Sequence, residues 1–287
     1  MKIYEKMSIR TLLKLSALVF LVSVLTVGCD DDDSDGPDFT ERSKTYTLNS
    51  ASDPAISGTV KFTERSDMAI VIMIELDGTT SGKSHPAHIH ANSVVETGGI
   101  IIGLNPVDGN TGVSETVVTE MDNGTAISYD ELLDLDGYVN VHLSDADLAT
   151  IIAQGDIGKN ELTTTLTTYS LTSANDSGIT GTVTFTKRVS GFALVMVELA
   201  GTSLTGEYPV NIYENDMVTT GPVAIDLNNI NGVTGLSFTS VKQLNSGTAI
   251  TYDQLVDFNG HINVSASPMD LTTYVAQANI GANHIGN

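Results

Sequence analysis

Four histidines carry most of the chemistry this chain offers. His85, His88 and His90 lie in Ser84-His-Pro-Ala-His-Ile-His90, and His142 closes Tyr138-Val-Asn-Val-His142. On a strand, alternate side chains share a face, so His88 and His90 project together, about 6.5–7 Å apart along the chain. The same alternation groups Tyr138, Asn140 and His142. If the two strands are neighbours, His88, His90 and His142 converge and leave one coordination position open. His85 can supply a fourth ligand from the loop ahead of its strand. Imidazole nitrogen binds zinc at about 2.0–2.1 Å, and copper suits the same donors. The competing account has these rings hydrogen-bonding inside the fold and tying two strands together.

The chain itself supplies a comparison. Shifted by 123 residues, Lys44–Asn160 lies over Thr167–Asn283 without a gap, and about 53 of the 117 positions are identical. Gly58-Thr-Val returns as Gly181-Thr-Val, and Ala126-Ile-Ser-Tyr-Asp130 as Ala249-Ile-Thr-Tyr-Asp253. Agreement at that level marks a duplicated domain. His85, His88, His90 and His142 meet Tyr208, Asn211, Tyr213 and Ser265. A residue needed by the fold should survive in both copies, so these four are candidates for something besides folding. The hydrogen-bonding account answers that Asn, Tyr and Ser can do the same structural work.

The rest of the chain offers weaker candidates. Asp108-Gly-Asn110 has calcium-loop chemistry, but its match Asn231-Gly-Val233 points to a hairpin turn. Glu75 and Glu198 precede glycine turns with no partner acid. There is no Trp to build a carbohydrate platform, which leaves only Tyr208 and Tyr213 for that purpose. No nucleophile elbow, P-loop or dinucleotide fingerprint is present.

The beginning of the chain addresses location. Lys2, Lys6, Arg10 and Lys14 precede an apolar run, Leu15–Val27, too short for a comfortable membrane span. The run ends in Leu25-Thr-Val-Gly-Cys29, followed by Asp30-Asp-Asp-Asp-Ser-Asp-Gly36. This resembles the lipobox of bacterial lipoproteins, whose cysteine is lipidated and becomes the first mature residue. The acidic run after it is similar to the surface-export signal of Bacteroidota lipoproteins. Cys29 is the only cysteine, so no intramolecular disulfide can form. The expected order is a signal peptide over 1–28, an acidic flexible tether over 29–43, and two domains over 44–160 and 167–287. Without residues 1–28 the chain keeps nine basic against 34 acidic residues, a formal charge of −25. Nucleic acid is excluded as a natural partner, because phosphate binding needs a basic face. Membrane contact is expected through the lipid alone.

Each repeat reads as short Val-, Ile- and Thr-rich strands between Gly, Asp and Asn turns. Gly58–Thr63, Met68–Leu76, Ala87–Ala91, Gly99–Leu104, Ser114–Thr119 and Tyr138–Leu143 are the strands of the first copy. Ser128-Tyr-Asp-Glu131 and Thr251-Tyr-Asp-Gln254 are capping-box sequences and predict short helices. A second helix is predicted from Ser144-Asp-Ala-Asp147, with Leu148, Ile151 and Ile152 at helical spacing. Its counterpart Ser267-Pro-Met-Asp270 places Pro at a first helical position. The fold class is therefore all-β: two tandem Greek-key-like β-sandwich domains, each with two short helices.

Pro86-Ala-His-Ile-His90, Gly98-Gly-Ile-Ile-Ile-Gly-Leu104 and Gly137-Tyr-Val-Asn-Val-His142 together resemble the CHRD (chordin-type) domain. The second repeat, with Pro209-Val-Asn-Ile-Tyr213 and Gly260-His-Ile-Asn-Val-Ser265, is similar to a degenerate copy. The resemblance implies an all-β extracellular domain with no established catalysis. The expected protein is a cell-surface outer-membrane lipoprotein, a non-enzymatic binding or adhesion module for an envelope ligand. The alternative is a copper- or zinc-binding domain built on the histidines of repeat one.

Overall fold

The computed structural model describes residues 38–284, so Cys29, the expected signal peptide and most of the expected acidic tether lie outside the described residues. Repeat one contains β1 (Phe39–Ser50), β2 (Ser57–Arg65), β3 (Ile70–Asp77), β4 (Ser84–Ala91), β5 (Ile100–Asp108), β6 (Val113–Val118), α1 (Tyr129–Leu133), β7 (Asp136–Ser144) and β8 (Asp147–Gly158). Repeat two contains β9 (Leu162–Ser173), β10 (Thr180–Arg188), β11 (Ala193–Ala200), β12 (Glu207–Tyr208), β13 (Val210–Glu214), β14 (Val223–Asp226), β15 (Ile230–Asn231), β16 (Leu236–Val241), α2 (Tyr252–Val256), β17 (Asn259–Ser267) and β18 (Asp270–Gly281). The fold is all-β, as the strand pattern predicts.

In repeat one the strand order is β5-β4-β7-β8-β1-β2-β3-β6. β1 pairs with β2 over most of its length and with β8 only at Asn49 and Ser50, so it bends from one face of a sandwich to the other. The opposite edge is closed by Asn105. Its backbone N–H donates to Thr116 Oγ1 (2.8 Å) and its carbonyl accepts from Ser114 Oγ (2.6 Å). Asn228 makes the matching bonds to Thr239 and Ser237. β1–β2–β3 form a meander and β8 returns beside β1, the Greek-key order.

Each repeat builds its own core. Val60, Phe62, Ile72 and Ile74 from one face meet Ala87, Ile89, Val139 and Val141 from the other. Val183, Phe185, Val195 and Val197 meet Val210, Ile212, Ile262 and Val264 in the second copy. At 25 cal/mol per Å² of apolar surface, a fully buried side chain of this size contributes about 1.5–3 kcal/mol before entropy is charged against it. β1 and β9 have identical burial patterns, although Phe39–Ser43 shares little sequence with Leu162–Leu166. The structural repeat therefore begins at Phe39. Residues 39–43, expected in the tether, are strand, and so are residues 162–166, expected in the gap between domains.

Both capping boxes form, with Ser128 Oγ and Thr251 Oγ1 accepting from Glu131 and Gln254 N–H. The second helix of each repeat does not. Ser144 pairs with Asp147 across a two-residue hairpin, and residues 147–158 run on as β8. Asp147 Oδ1 accepts from Ala149 and Thr150 N–H, which closes a turn where a helix start is predicted. Thr150, Ile151 and Ile152 are β-branched, and each repeat offers β7 or β17 as a ready pairing partner. Pro268 occupies the first central position of its hairpin, where its fixed φ suits a turn equally well. Asp108 also folds its own turn, accepting from Asn110 N–H (2.7 Å) and Thr111 N–H (3.2 Å), and Asn231 repeats this.

Candidate metal centre

β4 lies antiparallel to β7, with Ala87 opposite Val141, His88 opposite Asn140, Ile89 opposite Val139 and His90 opposite Tyr138. Ala87, Ile89, Val139 and Val141 point into the core and are wholly buried. Alternation sends His88, His90, Tyr138 and Asn140 to the outer face, and His142 joins them after a bulge. A polar outer face would ordinarily be wet, yet His90, Tyr138, Asn140 and His142 are buried there. The β4–β5 loop and the β7–β8 hairpin close over it and supply Gly98 and Leu148 as hydrogen-bond partners. The result is a cup on the outside of the sandwich.

Within the cup, ligand atoms of His88, His90 and His142 all lie within 4.8 Å of one another. The ring centroids of His88 and His142 are 5.2 Å apart, those of His88 and His90 5.8 Å, and those of His90 and His142 6.4 Å. Atoms held at about 2.1 Å by one ion stand no more than about 4.2 Å apart, so small ring rotations bring all three to a single ion. His90 Nδ1 bonds to Gly98 O at 3.0 Å and His142 Nδ1 to Leu148 O at 2.7 Å. A carbonyl only accepts, so each Nδ1 carries the proton and each Nε2 keeps its lone pair. This is the usual outer-sphere arrangement of a metal-bound histidine. His90 Nε2 and His88 Nδ1 are buried and have no hydrogen-bond partner. Burial pushes the His88 and His142 imidazoles below the usual histidine range, and the neighbouring rings of the cup add to it. Both are therefore neutral near pH 7, the form a metal needs.

Repeat two refills the same positions. Ser265 Oγ donates to Leu271 O (3.2 Å), which reproduces the His142–Leu148 bond without a second nitrogen. Asn211, with its amide turned to donate, reaches Val210 O (2.8 Å) and Asp226 Oδ1 (3.3 Å). Tyr213 stacks on His261 at 5.2 Å and 19°, as His90 stacks on Tyr138 at 5.0 Å and 20°. The stacked pair is kept with its members exchanged. Among the described residues only repeat one forms a converging group of three metal-ligating side chains.

His85 is not a fourth ligand. It stands outside the converging group, and its Nδ1 bonds to the carbonyls of His142 (3.2 Å) and Leu143 (2.9 Å), fastening β4 to the end of β7. Tyr208 in its place accepts from Ser203 N–H instead. Two residues of the rim escape a search for histidines. Gly103 pairs with His88 across β4–β5, and Asp122 accepts from its N–H at 2.9 Å. In repeat two these become Asp226 and Asn245, so a side chain occupies the space that Gly103 leaves beside His88. The signal was available in the 123-residue comparison, since Gly103, Asp122 and Tyr138 all change with the histidines.

In comparisons with known proteins, no family model, no curated sequence and no solved structure matches this chain.

Proposed function

We propose that this is an envelope-anchored lipoprotein whose first repeat binds one copper or zinc ion through His88, His90 and His142, with one position left for an outside ligand. One observation carries the reading. Ser265 keeps the hydrogen bond made by His142 Nδ1, whereas the three nitrogens that converge in repeat one have no counterpart among the described residues of repeat two. Structural work accounts for the Nδ1 atoms of His90 and His142 and leaves His88 Nδ1 and His90 Nε2 buried without a partner. An all-imidazole set suits copper and zinc, and intrinsic affinities place Cu(II) ahead. Within this reading the CHRD-like resemblance supplies an extracellular setting, since its Ala-His-Ile-His and Tyr-Val-Asn-Val-His blocks are the ones that hold the ligands. The lipid on Cys29 supplies the anchor, and binding or adhesion at the envelope would work through the loaded cup. No helix among the described residues is long and apolar enough to cross a membrane.

The test is titration of the metal-stripped mature protein with Cu(II) and Zn(II). One ion per chain is expected, bound less tightly as the pH falls and the ligating imidazoles protonate, with burial holding the His88 and His142 pKa values below the usual histidine range. His142→Ser, which copies the second repeat, should lose the ion and keep the fold. A His142→Ser protein that binds as tightly as the parent refutes the site. Separately, Cys29→Ser should leave the membrane fraction, and its retention after a high-salt wash would exclude the lipid anchor.

A further inference from the structure

The loop between β4 and β5 aims His90. Gly98 O receives the His90 Nδ1 proton, and Gly98 N–H donates to Tyr138 Oη at 3.2 Å. Wherever Gly98 sits, the His90 ring must follow. Two points in this loop are held by acids that also meet cations of repeat two. Val94 N–H donates to Asp156 Oδ1 (2.8 Å), while Asp156 Oδ2 takes the fully buried Arg188 (2.6 Å). Glu96 Oε2 accepts from Ser93 Oγ (2.7 Å), while its Oε1 takes Lys242 (3.0 Å).

The internal comparison separates this arrangement from ordinary domain docking. Asp156 corresponds to Asn279, which accepts Met217 N–H at 3.0 Å and meets no cation, and Glu96 corresponds to Thr219. Arg188 corresponds to Arg65, which pairs with its own neighbour Asp67 at 2.8 Å, and Lys242 corresponds to Thr119. Acids stand in the loop supports of the histidine copy, and cations stand opposite them in the other copy.

We propose that repeat two is a clamp for the metal centre, with Arg188 and Lys242 as positioning residues that set where the β4–β5 loop holds His90. The clamp rests on the metal reading and adds to it a working role for the degenerate repeat. Metal affinity and repeat docking are then linked, and the linkage is reciprocal.

The experiment uses the full mature chain loaded with Cu(II). Lys242→Thr copies the first repeat at a partly exposed position and releases both Glu96 and Asp136, which Lys242 meets at 3.0 and 3.3 Å. Loss of outer-sphere support for a metal-bound histidine weakens binding by about 10-fold or more. We expect an effect of about that size, a changed copper electron paramagnetic resonance spectrum, and recovery of both in Lys242→Arg. Asp156→Asn combined with Arg188→Met should do the same from the other support. A parent protein that binds copper while both variants match its affinity and spectrum overturns the clamp alone. A parent protein that takes up no metal overturns the metal reading and the clamp with it.

Discussion

His90 and His142 each divide their two nitrogens between two tasks, and the division decides which substitutions the fold tolerates. The Nδ1 atoms of His90 and His142 are committed to carbonyls, so they can be replaced by other donors, as Ser265 shows. The stack of His90 on Tyr138 is also replaceable, provided both members change together. Exchanging this pair as His90→Tyr with Tyr138→His therefore separates packing from coordination. Aromatic pairs contribute about 0.5–1.5 kcal/mol beyond their buried area. Single His90→Tyr is expected to cost about 1 kcal/mol in urea unfolding, and the double exchange to recover most of it. Neither should bind copper, because Nε2 of residue 90 is gone from both. A double variant with the parent's copper affinity would show that His90 is no ligand.

The elements that carry these rings were largely legible in the sequence. Six strands of repeat one, both capping boxes and the Asp108 turn follow from alternation, cap chemistry and turn residues. The convergence of His88, His90 and His142 follows once β4 and β7 are neighbours. The failure is equally physical. Leu148, Ile151 and Ile152 are spaced for a helix, but a strand with β7 beside it satisfies the same backbone at once, and Ser-x-x-Asp closes a hairpin as readily as it caps a helix. Propensity yields there to pairing. The cover of the cup was illegible for a different reason, since nothing in Asn92–Gly99 announces that its carbonyls fold back over a sheet. The hairpin makes its own prediction. Asp145 corresponds to Pro268, so Asp145→Pro should raise stability by about 0.4–1 kcal/mol by restricting the unfolded chain. A fall in midpoint on thermal unfolding would mean that the turn at Asp145 cannot accept the proline φ.

Across the whole molecule the scarce resource is positive charge. The chain has 13 Lys and Arg against 35 Asp and Glu, yet it buries Arg188 completely at the junction of the two repeats. Arg188 donates to Asp156 and to the carbonyl of Asn160, while Val189 and Ser190 N–H donate to Glu161 and Lys159 carbonyls at 2.9 Å. This part of the junction is made from the connection after β8 and the β10–β11 turn, with the Arg188–Asp156 pair at its centre. A buried pair adds little net stability over apolar residues of similar size, because desolvation offsets the attraction. Breaking it from one side is another matter, since the remaining charge stays buried. Asp156→Asn keeps the acceptor for Val94, as Asn279 does for Met217, but leaves Arg188 without its counter-ion. We expect it to cost about 3–5 kcal/mol. Asp156→Asn with Arg188→Met should recover much of that loss, because no buried charge then remains unpaired. Urea unfolding of the parent and the two variants provides the comparison. If the single and double variants are equally destabilised, the cost lies in packing at the junction and the ion pair is incidental to it.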